Sequence, residues 1–376
     1  MNDFRFLLIG FYLCIFTDGS AQSVHPRLVT LLPDTVNESS GIEVNSGNSI
    51  WTHNDSGDLP RIFKMDTLGN LLRILNISNV TATDIEEMAQ DEEGNYYIGD
   101  FGNNLNNRQD LRIYKIPNPD LITADSILSG LIYFTYPDQL SFPPAAADMN
   151  FDCEAMFHFK DSLYLFSKNR GISTFCKMYR LPDQPGTYTA QLVDSFNTVR
   201  WITSADISPN GKSVVLLSYD QLWLFTKYPD SDFFGGSSLK LAMDTSQKEA
   251  IVFYNNTEVY ITDERFFGSG GNLYSLDLKQ WIVGINELPE NTRYIEVFPN
   301  PAREQVRIRI NVPGPSSSRI ELINIYGMRI MEDPLKLVQG RNEIQIPLHL
   351  ELPGIYFLRI TFNDGLTNTR KLVIAD

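Results

Sequence analysis

Five residues recur at one place in five related stretches of the chain: Ser40, Glu86, Glu154, Ser204 and Glu249. They lie in ESSGIEV, TDIEEM, FDCEAM, TSADIS and QKEAIVF, and each stretch leads through a polar turn into a second apolar run. Three glutamates gathered around one axis repel each other, so either their pKa values rise or a cation neutralises them. Carboxylates supplemented by carbonyls near Ser40 and Ser204 suit a hard cation, Ca²⁺, better than a transition metal. Zinc is disfavoured, because His53 is the one imidazole expected nearby. The competing role is structural, with the glutamates accepting amide hydrogen bonds from neighbouring strands. Asp84 and Asp152 each stand two residues before a ring glutamate and are candidate general bases. Lys168, Arg170, Arg265 and Asp100 fall where the second runs end. The three cations suit a phosphate or carboxylate ligand, or else salt bridges to Asp263, Glu264 or Asp100. The sequence shows no Ser-His-Asp set and no glycine-rich phosphate loop.

Positioning such a ring requires a repeated element. The five residues are spaced 46, 68, 50 and 45 apart, a period that points to a repeat fold. Each repeat reads as four short strands. The second is apolar on both faces, as in Tyr96-Tyr97-Ile98, Leu163 to Phe166, Val214 to Leu217 and Val259-Tyr260-Ile261. Both-faced burial in groups of four predicts an all-β, five-bladed β-propeller in which neighbouring blades cover each other. The fifth repeat lacks an outer strand after Leu278, and Arg27 to Leu32 is expected to supply it and close the ring. The alternative is six blades, made by splitting residues 105–150.

The chain has 376 residues and a formal net charge of −15, with no basic run, which argues against nucleic acid as a partner. Arg5, an apolar run from Phe6 to Phe16, and the small residues Gly19-Ser20-Ala21 read as a signal peptide over 1–21. No later stretch reaches the roughly 18 apolar residues of a membrane-spanning helix. Cys153 and Cys176 are expected to be unbridged, on strands separated by a third. The propeller is assigned to 22–280, a polar linker to 281–296, and a small β-sandwich of alternating strands to 297–376.

In that last segment the order Pro299-Asn300-Pro301, IYG, GRN, Gly354-Ile355-Tyr356 and a terminal KLVI resembles the C-terminal sorting domain of type IX secretion cargo in Bacteroidetes. The resemblance implies engagement by the type IX machinery, export, and a secreted or surface-attached product. The propeller is similar in outline to two other groups. The order Ser40, Glu86, Glu154, Ser204, Glu249 looks like calcium-activated nucleotidases of the apyrase type, where an axial calcium activates water. NDSG and IGDFGNN resemble esterase-like phytase and lactonase propellers. Two functions follow as expectations. One is a calcium-dependent hydrolase of phosphoester, phosphoanhydride or lactone bonds. The other is a non-catalytic surface propeller binding glycans or proteins through loops at Phe101, Phe233-Phe234 and Phe266-Phe267.

Overall fold

The computed structural model describes residues 22–45, 49–265 and 268–286, then 294–298, 300, 302–312, 314–324, 326–348, 353–363 and 367–374. The signal-peptide reading at 1–21, Phe266-Phe267, Pro299 and Pro301 therefore lie outside the described residues. The chain divides into two compact units, Met1–Ile282 and Val283–Asp376.

The described residues of the first unit form five sheets. Their innermost strands are Ser39–Asn45, Ile85–Gln90, Asp152–Phe159, Ser204–Ile207 and Lys248–Phe253. Each pairs antiparallel with a second strand: Ser49–Asn54, Tyr96–Asp100, Ser162–Lys168, Ser213–Leu217 and Glu258–Asp263. In the first four sheets every residue of that second strand is buried, as a strand packed on both faces must be. The short hairpins rest on turn chemistry. In DEEGN, Asp91 accepts the amide hydrogens of Glu93 (3.0 Å) and Asn95 (2.8 Å), and Gly94 supplies the left-handed φ of +81°.

Five apolar interfaces join the sheets in a cycle. Trp51 and Ile62 meet Tyr96 and Ile98; Tyr97 and Phe134 meet Met156 and Leu165; Phe157 and Phe166 meet Val214 and Phe225. Val215 and Leu224 then meet Ile251 and Val259, and Leu273 returns to Ile50 and Phe63. Fully burying side chains of this size contributes about 1.5–3 kcal/mol each. The innermost strands touch in the same cyclic order, fifth to first included. The unit is an all-β propeller. Arg27–Leu31 pairs antiparallel with Asn272–Asp277 as the outer strand of the fifth sheet, so the N-terminal segment closes the ring. Residues 105–150 supply only the outer strands of the second sheet, a strand added to the first, and short turns.

Three short parallel additions went unread in the sequence. Gln22–Ser23 joins the fourth sheet, Ser126–Ile127 the first and Gly186–Thr189 the second. At two to four residues they are too short to show a period. The expected linker also differs, because it opens with an α-helix, Lys279–Asn286. Asp277 accepts the Lys279 amide hydrogen at 2.7 Å, and Ile282 and Trp281 pack on the core between the fourth and fifth sheets.

The second unit has a three-stranded sheet (Tyr294–Phe298, Gln305–Val312, Gly340–Pro347) and a four-stranded one (Arg329–Leu337, Ser316–Asn324, Gly354–Thr361, Thr367–Ile374). Their inner faces share one apolar core that includes Ile308, Ile320 and Leu358. Asn300 brackets the final strand, donating to the Lys371 carbonyl and accepting from the Val373 amide, both at 2.8 Å.

Candidate functional site

Each innermost strand begins at one face of the ring, the mouth, at the end opposite the turn of its hairpin. In four sheets the register there shifts by one residue, and the bulged residues are Ser40, Glu86, Glu154 and Glu249. A bulge re-aims a side chain out of the alternating pattern, which suits a site at a barrel rim. The fourth sheet departs from this plan. Ser204 pairs regularly with Leu217, and the Thr203 amide also bonds the Leu217 carbonyl, at 3.0 Å. Thr203 therefore holds the ring position, one residue before the expected Ser204. Two adjacent hydroxyl residues and no glutamate leave that register without an anchor in the sequence. Ser40 and Thr203 tie neighbouring sheets together, their hydroxyls donating to the carbonyls of Glu86 and Lys248 at 2.7 Å. Ser204 instead donates to the carboxylate of Glu87, across the ring.

The ring glutamates fall into two environments. Glu154 has cations: Lys168 Nζ lies 2.8 Å from Oε2 and Arg170 Nη2 3.1 Å from Oε1. Glu86 has acids. Burial, then Glu154, Asp55, Asp84 and Asp152, push its carboxyl well above the usual range. Carboxylate oxygens of Asp55, Asp84 and Glu86 all lie within 4.8 Å of one another. A Cβ added to Gly102 would stand 2.2 Å from Glu86 Oε1 and 2.4 Å from Asp84 Oδ2, so both acids close on that bare backbone. Burial raises Asp55 to about 6, Asp84 above its ordinary value, and Asp152 and Glu249 to about 7. Glu264, buried near Glu249, is raised to about 9.

The other predicted residues have definite places. Asp152 has both oxygens engaged, Oδ1 by the Asn103 amide (2.6 Å) and Oδ2 by Arg170 Nε (2.7 Å). Asp100 is fully buried between Arg108 (3.0 Å) and Arg112 (2.8 Å). It accepts the amide hydrogens of Thr83 and Asp84 at 3.2 and 3.0 Å and so fixes the loop that carries Asp84. Arg265 turns to the N-terminal segment, meeting Asp34 Oδ1 at 2.7 Å and the Leu32 carbonyl. His53 is sealed in the interior. Its Nδ1 lies 2.9 Å from the Asn54 carbonyl, and burial lowers its pKa to about 4. Cys153 and Cys176 are free buried thiols.

The aromatic-loop reading is corrected. Phe101 and Phe233 are fully buried, and Phe234 packs beside Phe233 on the core between the third and fourth sheets. Apolar side chains at strand ends enter the interfaces between sheets here instead of facing solvent. Asp55 and Glu264, expected around the inner ring as residues that end their second runs, stand at the mouth, and Trp201 is the mouth residue that the sequence did not mark. Asp55 was legible as the acid of NDSG, whereas Trp201 sits in a loop with no repeat to mark it.

Residues 296–375 match the family model of the secretion system C-terminal sorting domain. The C-terminal unit is thus a type IX sorting domain, which engages the secretion machinery and directs the protein to the cell surface or beyond. The protein is an exported β-propeller. No helix among the described residues is long and apolar enough to cross a membrane. No curated protein matches the chain.

Similar solved structures include the extracellular domain of a hybrid two-component system from B. thetaiotaomicron, at 8% identity and TM-score 0.33. The match covers 95% of this chain and 60% of that one. A protein assigned as a gluconolactonase matches at 10% identity and TM-score 0.39, over 64% of this chain and 74% of that one. Kuenenia stuttgartiensis hydrazine synthase matches at 10% and 0.34, over 74% and 77%. Likeness at this level says nothing about activity.

Proposed function

We propose that the propeller mouth holds Ca²⁺ and hydrolyses a small anionic ester of the phosphoester, phosphoanhydride or lactone class. The observation that carries this reading is the convergence of Asp55, Asp84 and Glu86, to which no basic side chain is bonded among the described residues. An acidic cluster half withdrawn from water and left without cations is costly, and an oxygen-only donor set fits a hard divalent ion. Asp55, Asp84 and Glu86 would hold the ion, which supplies charge neutralisation and polarisation of a bound oxygen. Ser40, Thr203, Glu154 and Glu249 complete the ring around them, and Ser204 supports Glu87 below it. Lys168, which ends the second strand of the third sheet, and Arg170 just after it would take the anionic group of the substrate. Asp84, partly exposed with a raised pKa, would accept a proton from water. Asp152 aligns Arg170, and Asp100 holds the Asp84 loop.

The test is thermal unfolding with and without Ca²⁺, joined to turnover on a panel of nucleotides, phosphoesters and lactones. At 100 Kd a bound ion adds about 2.7 kcal/mol, a rise of roughly 5–10 °C for a unit of this size. Asp84→Asn with Glu86→Gln should abolish the rise and the turnover. An undiminished rise in that variant, or none in the native protein, would refute the assignment.

A further inference from the structure

We propose that Trp201 is a stacking platform for a pyranose ring, so that the ligand of the mouth is an anionic sugar. The inference rests on the mouth reading above for its anion-binding half and on separate observations for its ring. Trp201 is 47% exposed, whereas Trp51 is fully buried. Its position is imposed. Val199, two residues earlier, has a φ of +62°, a left-handed conformation that a β-branched residue adopts only under constraint. Thr198 and Val199 amides donate to the Thr174 carbonyl at 3.1 and 3.2 Å, and Gln221 Nε2 donates to the Thr198 carbonyl at 3.0 Å. A loop pinned in this way exposes Val199 and Trp201 instead of folding them inward.

The indole also adjoins the anion-binding side chains. The Arg170 guanidinium lies 5.0 Å from a Trp201 ring centroid, and Lys168 Nζ lies 6.0 Å away. Beside it opens a cavity of about 360 Å³ whose lining includes Arg200, Trp201, Ser218, Tyr219 and Asp220. Arg200 and Asp220 are paired at 3.0 Å, giving planar donors and acceptors suited to vicinal hydroxyls. No amide side chain lines this cavity to read the edge of a nucleobase. Arg170 and Lys168 stand over the indole, so it is the part of Trp201 lining the cavity, beside polar groups, that matches the C–H face and hydroxyl rim of a sugar, with its carboxylate or phosphate at the indole edge toward the two cations.

The experiment is calorimetric titration of the full chain in Ca²⁺ with glucuronate and glucose 1-phosphate. Acetate and inorganic phosphate serve as ringless counterparts, and AMP as a base-bearing one. At least one sugar should bind tenfold or more tightly than its ringless counterpart, which also shows whether the anion is carboxylate or phosphate. Trp201→Ala should bring that sugar level with the ringless anion, and Trp201→Phe should retain part of the margin. A margin that survives Trp201→Ala, or AMP binding above both sugars, overturns the sugar platform while leaving the mouth standing. No binding of any anion, with or without Ca²⁺, removes the mouth reading and this inference together.

Discussion

Two clusters in the propeller, one of three carboxylates and one of two carboxylates and a histidine, are equally compact and differ in how they are satisfied. In the mouth, Asp55, Asp84 and Glu86 converge and all three are pushed toward the protonated form. In the second cluster, Asp91, Asp183 and His158 converge just as closely. There, donors meet the acids. Asp91 takes two amide hydrogens, Asp183 pairs with His158 Nε2 at 3.1 Å, and the Tyr97 hydroxyl, with one hydrogen to share, lies 3.0 Å from Asp91 and 3.3 Å from Asp183. Hydrogen bonds from His158 and Gln184 hold Asp183 below the usual carboxylate range. Proximity of acids is therefore not what marks a cation site. The mark is proximity with few donors: in the mouth Ser56 donates to Asp55 and Asp84, and burial still raises all three acids.

The largest effect should come from turning a satisfied acid into an unsatisfied one. Lys168 and Glu154 are both nearly inaccessible, with side-chain exposures of 5% and 4%. Removing Lys168 leaves buried Glu154 to Arg170 alone, at 3.1 Å, and costs about 3 kcal/mol, the low end for a broken buried pair. Lys168→Met should thus lower stability by that amount at pH 8 in chelator, measured by denaturant unfolding. Added Ca²⁺ should recover part of it, because Glu154 then joins the acids in need of a cation. A loss under about 1 kcal/mol would show that the two halves of the mouth do not differ as described.

A second test uses pH. Carboxyls raised to about 6 and 7, those of Asp55, Asp152 and Glu249, bind more protons in the folded chain than in the unfolded one. Stability without metal should then fall as pH rises from about 4 through 7, the reverse of an ordinary salt-bridged acid. The lowered Asp183 acts in the opposite sense, and its contribution is lost only on acidification below its ordinary range. Saturating Ca²⁺ should flatten the fall, and the metal-induced rise in Tm should grow between pH 5 and 8. Glu86→Gln should shrink the slope. A metal-free protein that gains stability steadily from pH 5 to 8 would contradict the raised carboxyls.

The propeller was legible in the sequence because its second strands are apolar on both faces and recur. The inner-ring glutamates were legible because bulges occur at equivalent places in those repeats. Satisfaction was not legible. Asp100 and Asp84 read alike as acids near one mouth, yet Arg108 and Arg112 reach Asp100 from a loop and a third strand whose side-chain directions no spacing reveals. Phe101 and Trp201 both read as aromatics near strand ends, and only packing separates the fully buried ring from the exposed one. The Thr203-Ser204 ambiguity has the same origin, since either hydroxyl fits the repeat and backbone pairing alone decides between them.

The smallest effect tests the satisfied cluster. His158 stacks on Tyr97 with ring centroids 5.3 Å apart and pairs with Asp183, so it joins the second sheet to the third. His158→Ala loses one stacking contact and one charge-assisted hydrogen bond, about 1–3 kcal/mol together. Asp91 keeps its turn amides and Asp183 keeps Tyr97 and Gln184, so neither becomes a site in search of a cation. The Ca²⁺-induced rise in Tm should therefore match that of the native protein. A rise that shrinks along with the stability would mean that this cluster binds the ion, and that donors around a carboxylate do not by themselves separate structural acids from metal ligands.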